Sequence, residues 1–312
     1  MSFHSQTSQP KTGKASRPTQ VTVQSLLRKK QQGEKLVTLT CYDYTTAKIL
    51  DQAGVDLLLV GDSLAMTVLG HTDTLSVTMD EMLHHTKAVS RGCERALVVG
   101  DMPFMSYQID HARAIENAGR FLQEGRAHAV KLEGASPFMV SVIDHLVQAG
   151  IPVIGHLGFT PQSVNTLGGF KIQGKTIEDA QKILNDALLL QSAGVGALVL
   201  EMVPHPVASI ISQQLRIPTI GIGSGNGCDG QILVIDDLLG RYQDLKPRFV
   251  RQYLNSSDLV TQAVQQYQAD IQHGRYPDNE LEAYPFPDKV FDKAPELLFQ
   301  AICGEEPAAF YD

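Results

Sequence analysis

Five side chains that can hold or move charge stand at the ends of short, mostly apolar runs in this 312-residue chain. Asp56–Val60 leads through Gly61 to Asp62, and Leu97–Val99 leads through Gly100 to Asp101. Ala129-Val130-Lys131-Leu132 ends on Glu133, Pro152–Gly155 on His156, and Ala197–Leu200 on Glu201. Carboxylates that converge in a partly dry cavity repel one another, and one takes up a proton unless a cation joins them. Oxygen donors with no cysteine cluster suit a hard divalent ion. Mg²⁺ is the leading candidate, since it binds through few carboxylates and keeps positions for water and substrate. Those positions fit a bidentate anion such as a 2-oxo acid. Asp62, Asp101 and Glu133 form the candidate metal set. Lys131, two residues before Glu133, shares its face on an extended strand and could neutralise a substrate carboxylate or a liganding Glu. Plainer readings stand beside these. A single acid at a strand end could cap a helix or pair with a surface base, Lys131 could do no more than pair with Glu133, and His156 could equally be a structural histidine.

The elements that must position these groups follow one repeated grammar. A helix ends at a glycine, and a β-rich run then closes on a polar residue. Gly54, Gly125, Gly150 and Gly194 occupy the glycine position, which suits a helix terminus with positive φ. The runs that follow are short and apolar, as expected for parallel strands covered on both faces. With Val37–Cys41, Leu97–Asp101, Ile217–Ile222 and Ile232–Ile235, they make eight strands. The helices between them begin at recognisable caps: a capping box from Thr78 to Glu81, Ser136 before Pro137, and Thr176. Eight strands alternating with helices predict an α/β fold, a (β/α)8 TIM barrel, with an open doubly wound sheet as the alternative. In such a barrel the active site lies at the C-terminal strand ends, where the five polar residues fall. The expected organisation is a disordered polar arm over 1–20, a single catalytic domain over 21–275, and a Pro-containing acidic tail over 276–312. One further helix is expected at Asp258–Gly274. The tail holds nine Asp and Glu against two Lys.

Composition sets bounds on partners. A net charge of −8 speaks against nucleic acid, which needs a basic stripe. Cys41, Cys93, Cys228 and Cys303 are scattered, which favours free thiols and a reducing compartment. No apolar run reaches the roughly 18 to 20 residues of a membrane span. The first twenty residues lack the apolar core of a secretory signal. The expectation is a cytoplasmic protein with neither a membrane nor a nucleic-acid partner.

Three loops carry further signals. Ser63, just past a strand, could hold a carboxylate with its hydroxyl and backbone N–H, or could cap a helix. Leu157–Pro161 and Leu167–Lys171 make a glycine-bearing segment that could be a lid or an ordinary loop. Gly221–Gly227 could cradle a phosphate, although tight turns explain its glycines equally well.

At this point the segments can be compared with known families. Thr40–Tyr44, Val60–Leu64, Gly100–Phe104, Val130–Gly134, Gly155–Gly158, Thr160–Ser163, Gly168–Lys171, Ile220–Gly223 and Asp229–Leu233 occur in unbroken order. The series resembles the ketopantoate hydroxymethyltransferase family over roughly residues 20 to 275. The resemblance implies that Asp62, Asp101 and Glu133 bind Mg²⁺, directly or through water. It implies that Asp62, Ser63, Asp101 and Lys131 hold the 2-oxo acid, and that Glu201 is the general base. The reaction it implies removes the C3 proton of 3-methyl-2-oxobutanoate and adds a hydroxymethyl group from 5,10-methylenetetrahydrofolate, giving 2-dehydropantoate on the route to pantothenate. The reduced folate rests on the resemblance alone, since no separate folate motif is visible. So does the expected homo-oligomer, commonly a decamer in that family. Met202, Phe170 and Ser224 depart from the family's usual Cys, Tyr and Ala. The alternative is a Mg²⁺-dependent C–C lyase or mutase of the isocitrate lyase and phosphoenolpyruvate mutase type, which lacks support from any Cys near a Lys-rich loop after strand four or five.

Overall fold

A computed structural model describes residues 19–169, 171–287 and 294–304. The chain forms two compact units, one ending at Tyr253 and one beginning at Leu254. The first is a closed barrel of eight strands in chain order: β1 Leu36–Thr40, β2 Leu57–Val60, β3 Leu97–Asp101, β4 Ala129–Glu133, β5 Val153–Gly158, β6 Ala197–Glu201, β7 Thr219–Ile222 and β8 Gly230–Leu233. Each pairs with its sequence neighbour in parallel. Closure comes from β1 lying beside β8, with Leu36 opposite Gly230. The expected (β/α)8 barrel is therefore the fold, and the open sheet is excluded.

Strand alternation divides the core in two. Leu57, Leu59, Leu97, Val99, Ala129, Ile154, Ala197 and Val199 meet inside the barrel. Leu58, Val60, Val98, Val130, Leu132, Leu198 and Leu200 face outward to the helices. Both faces of each strand are thus covered, which is why the runs are nearly continuous in apolar residues. The helix Val23–Gln32 lies on the N-terminal side. Leu26 joins the inner core, and Lys30 Nζ reaches Asp229 at 2.9 Å and two backbone carbonyls. Beside it Asp56 binds both Lys29 and Arg95.

The predicted caps are present at Thr78, Ser136 and Thr176. Gly54, Gly150 and Gly194 adopt positive φ as the grammar requires. Gly125 does not. The left-handed residue there is Arg126 at φ 58°, and Gly125 is needed for space, since a Cβ would lie 2.5 Å from the Phe121 carbonyl oxygen. β8 also starts and stops two residues earlier than expected. The Thr40 hydroxyl accepts a hydrogen bond from the Ile235 N–H, which turns Ile235–Leu238 into a helical turn.

The second unit contains the helix Ser256–Gln272, close to the expected Asp258–Gly274, and a helix at Pro295–Cys303 within the stretch expected as a tail. Of the expected arm, residues 1–18 lie outside the described residues. Gln20 is tied by its amide to the carbonyls of Arg95 and Ala96. Among the described residues no helix is long and apolar enough to cross a membrane.

Candidate active site

The alternation that buries Ala129 inside β4 also turns Lys131 and Glu133 inward. On β3, Leu97 and Val99 are followed on the same face by Asp101. Register then assembles the mouth: Asp101 lies opposite Lys131, Glu133 opposite His156, and Gly158 opposite Glu201. Asp62 follows directly on β2. None of Asp62, Asp101, Lys131, Glu133 and His156 is more than 5% exposed. The lower barrel interior is apolar, and its mouth is charged.

Each of the three acids has one oxygen fixed by a protein donor. Asp101 Oδ2 accepts from the Asp62 N–H at 3.1 Å, Asp62 Oδ2 from the Gln162 side-chain amide at 3.0 Å, and Glu133 Oε2 from the Gln162 N–H at 3.1 Å. Lys131 Nζ lies 2.8 Å from Asp101 Oδ1, 3.7 Å from Glu133 Oε1 and 3.3 Å from His156 Nδ1. His156 stands between two carboxylates, at 3.3 Å from both Glu133 Oε1 and Glu201 Oε2. Its contact with Glu201 is close but poorly aligned for a hydrogen bond. His156 is thus part of the constellation, which the sequence left open.

The electrostatics follow from burial and crowding. Burial, then the neighbouring Asp101, pushes the Asp62 carboxyl well above the ordinary range, and burial also raises Asp101 against the pull of Lys131. Glu133 is buried as deeply, but Lys131 and His156 outweigh burial and hold it below the ordinary range. Lys131 is raised because Asp101, Glu133 and Asp62 overcome its burial. Burial and the Lys131 cation press His156 down, yet Glu133 and Glu201 lift it to about 9. With Asp62, Asp101 and Glu133 all ionised, Lys131 and a protonated His156 still leave one buried negative charge in excess.

That excess tests whether Mg²⁺ fits. Asp101 Oδ1 and Glu133 Oε1 are fully buried and lack a well-aligned hydrogen bond; the Lys131 ammonium, at 2.8 and 3.7 Å, is the charge they share. The lone pairs available are hard carboxylate oxygens on three neighbouring strands, the donor type Mg²⁺ takes. The donor chemistry fits the ion, although among the described residues no three of these side chains already converge as ligands.

Ser63 and Glu201 line a cavity of about 820 Å³, together with Tyr242, Leu245 and Pro247–Phe249. Ser63 stands at the start of the turn Leu64–Thr67 but caps nothing with its side chain; its hydroxyl meets the Tyr42 hydroxyl at 2.9 Å instead. The helix-cap reading therefore fails. The Thr160–Ser163 portion of the expected lid is tied into the site. Gln162 makes five hydrogen bonds there, to Asp62, Glu133 and the Met102 carbonyl, and from Tyr107 and Gln108. The glycines of Gly221–Gly227 are explained by packing. A Cβ on Gly223 would lie 2.8 Å from Phe249, on Gly225 2.4 Å from His205, and on Gly227 2.7 Å from Ser209.

Comparison with known proteins gives the family. The model of the ketopantoate hydroxymethyltransferase family matches residues 20–279. The chain belongs to that family. It is 53% identical over 278 residues to the 3-methyl-2-oxobutanoate hydroxymethyltransferase of Acetivibrio thermocellus, covering 89% of this chain and 98% of the relative. It is 53% identical over 265 residues to that of Syntrophus aciditrophicus, covering 85% and 97%. Among solved structures it resembles phosphonopyruvate hydrolase in complex with oxalate and Mg²⁺, with a TM-score of 0.54 and 12% identity over 91% of this chain and all of the other. It also resembles 2,3-dimethylmalate lyase, a member of the phosphoenolpyruvate mutase and isocitrate lyase superfamily, with a TM-score of 0.51 and 17% identity over 91% and 99%. These two likenesses speak for the fold alone.

Gln162, Tyr107 and Tyr42 had no role assigned from sequence. A fully buried tyrosine must place its hydroxyl, and Tyr107 does so by donating to Gln162 at 2.6 Å while accepting the Glu133 N–H. Burial of that kind has no signature in residue spacing.

Proposed function

We propose that this chain uses 5,10-methylenetetrahydrofolate and water to add a hydroxymethyl group to 3-methyl-2-oxobutanoate, giving 2-dehydropantoate and tetrahydrofolate. The observation that carries the reading is the placement of Glu201. It lies beside the buried carboxylate cluster, across His156 from Glu133, and opens onto the cavity. The 53% identity to named relatives favours this transfer over the lyase or mutase reaction, for which there is only likeness of fold.

Asp62 and Asp101 would hold Mg²⁺, with Glu133 joining them directly or through water. When bound, the ion would act as a Lewis acid toward the keto and carboxylate oxygens of the 2-oxo acid. The chain's own groups do the rest. Lys131 offsets the charge of the carboxylates and of the substrate, and Ser63, positioned by Tyr42, offers a hydroxyl to it. Glu201 takes the C3 proton. His156, between Glu201 and Glu133, steadies the carboxylate before transfer and can hydrogen-bond to it afterwards. The C3 carbanion equivalent then bonds to the one-carbon unit, whose bonds to the folate nitrogens break while water supplies the hydroxyl oxygen; the folate enters through the wider cavity and leaves as tetrahydrofolate. Cytoplasmic location and a homo-oligomer, as in the decamers expected of the family, complete the proposal, along with a 1–20 arm and a 276–312 tail outside the catalytic core.

The test is deuterium exchange at C3 of 3-methyl-2-oxobutanoate in D₂O with Mg²⁺, followed by NMR. Wild type exchanges, and Glu201→Gln loses about 10²- to 10⁴-fold in rate. Exchange at the wild-type rate in that variant would remove Glu201 as the base. No exchange in wild type would remove the mechanism.

A further inference from the structure

The cavity beyond Glu201 is walled mainly by apolar side chains, among them Met66, Val164, Val203 and Phe249. Set into this wall is Asp237, on the turn Ile235–Leu238 after β8. It is 9% exposed, and among the described residues its carboxylate accepts no hydrogen bond and pairs with no cation. The adjacent Asp236 is bound to Arg241 at 2.8 Å, so the two neighbouring acids are treated differently. Burial, and then Asp236, raise Asp237 to about 6. A desolvated carboxylate without a donor costs free energy, and Asp237 gives no contact in return. Its oxygens are free to accept hydrogen bonds from a molecule in the cavity.

The walls narrow what that is. A second 2-oxo acid would be repelled by a carboxylate in an apolar cavity. A flat heterocycle with adjacent N–H donors would be held by it, with the apolar side chains covering the ring faces. We propose that Asp237 recognises the one-carbon donor by accepting hydrogen bonds from the paired N–H groups of its 2-amino-4-oxopyrimidine edge. Arg248, exposed at the rim and without an ion-pair partner among the described residues, meets the anionic tail of the same molecule. The assignment rests on the folate reading above and adds to it the group that makes the donor site selective.

The experiment compares the Mg²⁺-loaded full chain with Asp237→Asn and Asp237→Ala. Binding of tetrahydrofolate and of its analogue lacking the 2-amino group is measured by calorimetry under reducing conditions. Wild type should prefer the 2-amino compound by tenfold or more. Both variants should bind tetrahydrofolate at least tenfold more weakly, and Asp237→Ala should no longer distinguish the two ligands. Wild-type affinity and discrimination in the variants would overturn the role of Asp237 and leave the folate reading standing. A wild-type protein that exchanges C3 deuterium but does not bind tetrahydrofolate would overturn the folate reading, and Asp237's role with it. Loss of C3 exchange in proportion to loss of folate binding would make Asp237 a structural support and also refute the proposal. Relief of a buried carboxylate predicts that Asp237→Asn melts no lower than wild type at pH 7.5. A lower melting point with unchanged discrimination would assign the residue to stability.

Discussion

Gln162 determines which carboxylate oxygens of the site remain available. By holding Asp62 Oδ2 and Glu133 Oε2 it leaves the opposite oxygens for a cation. Groups that orient metal ligands typically contribute about 10- to 100-fold in affinity. Gln162→Met, similar in volume but without the amide, should therefore raise the Mg²⁺ dissociation constant by about that factor when titrated calorimetrically. It should also cost about 1–3 kcal/mol of stability, since Tyr107 and the Met102 carbonyl lose their partner. Unchanged Mg²⁺ affinity would show that the carboxylates orient themselves. The acids, Lys131 and Glu201 could be read from sequence because each closes an apolar run, and because i and i+2 share a strand face. Gln162 could not. It lies in a polar turn whose burial depends on the closure of β2, β3 and β4 around it.

The strands place the chemistry, and their ends are tightly fitted. Gly158, last in β5, has φ +94°, and a Cβ there would lie 2.2 Å from the Glu201 carbonyl oxygen. Only glycine allows β5 and β6 to approach so closely beside Glu201. Gly158→Ala should cost about 1–3 kcal/mol through its backbone conformation and shift Glu201. A crystal structure together with C3 exchange rates would check this; wild-type rates and coordinates would refute it. The strand and helix order was legible because one grammar repeats four times and four further apolar runs complete the set of eight. Individual glycines were not. Gly125 resembles Gly54 and Gly150 in sequence, but serves the approach of its turn to Phe121 and Thr86. The Gly221–Gly227 run resembles a phosphate cradle, but its missing side chains make room for Phe249, His205 and Ser209. Spacing shows where a glycine stands, and only the neighbours show why.

Across the whole molecule, stability and reactivity lie at opposite ends of the barrel. Ion pairs of Lys29, Lys30 and Arg95 close the N-terminal side, while the C-terminal mouth carries crowded acids. Asp62 and Asp101 lie above their ordinary value of 3.8, so the folded metal-free protein binds more protons than the unfolded chain once the pH exceeds about 4. Stability therefore falls as pH rises through their folded values. His156, raised from 6.5 to about 9, adds a loss of the same sign between those limits; Glu133, lowered, acts oppositely only in acid. On the proposal that Asp62 and Asp101 hold Mg²⁺, the ion needs both acids ionised, and its stabilising effect should grow over the same rise in pH. Melting curves with and without Mg²⁺ should diverge as the pH rises above the ordinary carboxylate value of 3.8, the gap following the gain in affinity. A constant gap would contradict the shared titration. The helix across the barrel floor also bears on kinetics. With Leu26 seated in the inner core, the mouth is the way in, and the carboxylates lie deeper than Ser63 and Glu201, where the wide cavity begins. A molecule filling that cavity first would bar the smaller one from its place. Turnover should therefore be ordered, 3-methyl-2-oxobutanoate first and the folate second, with excess folate acting as a dead-end inhibitor competitive with the oxo acid; random-order initial-rate patterns would refute this traffic rule.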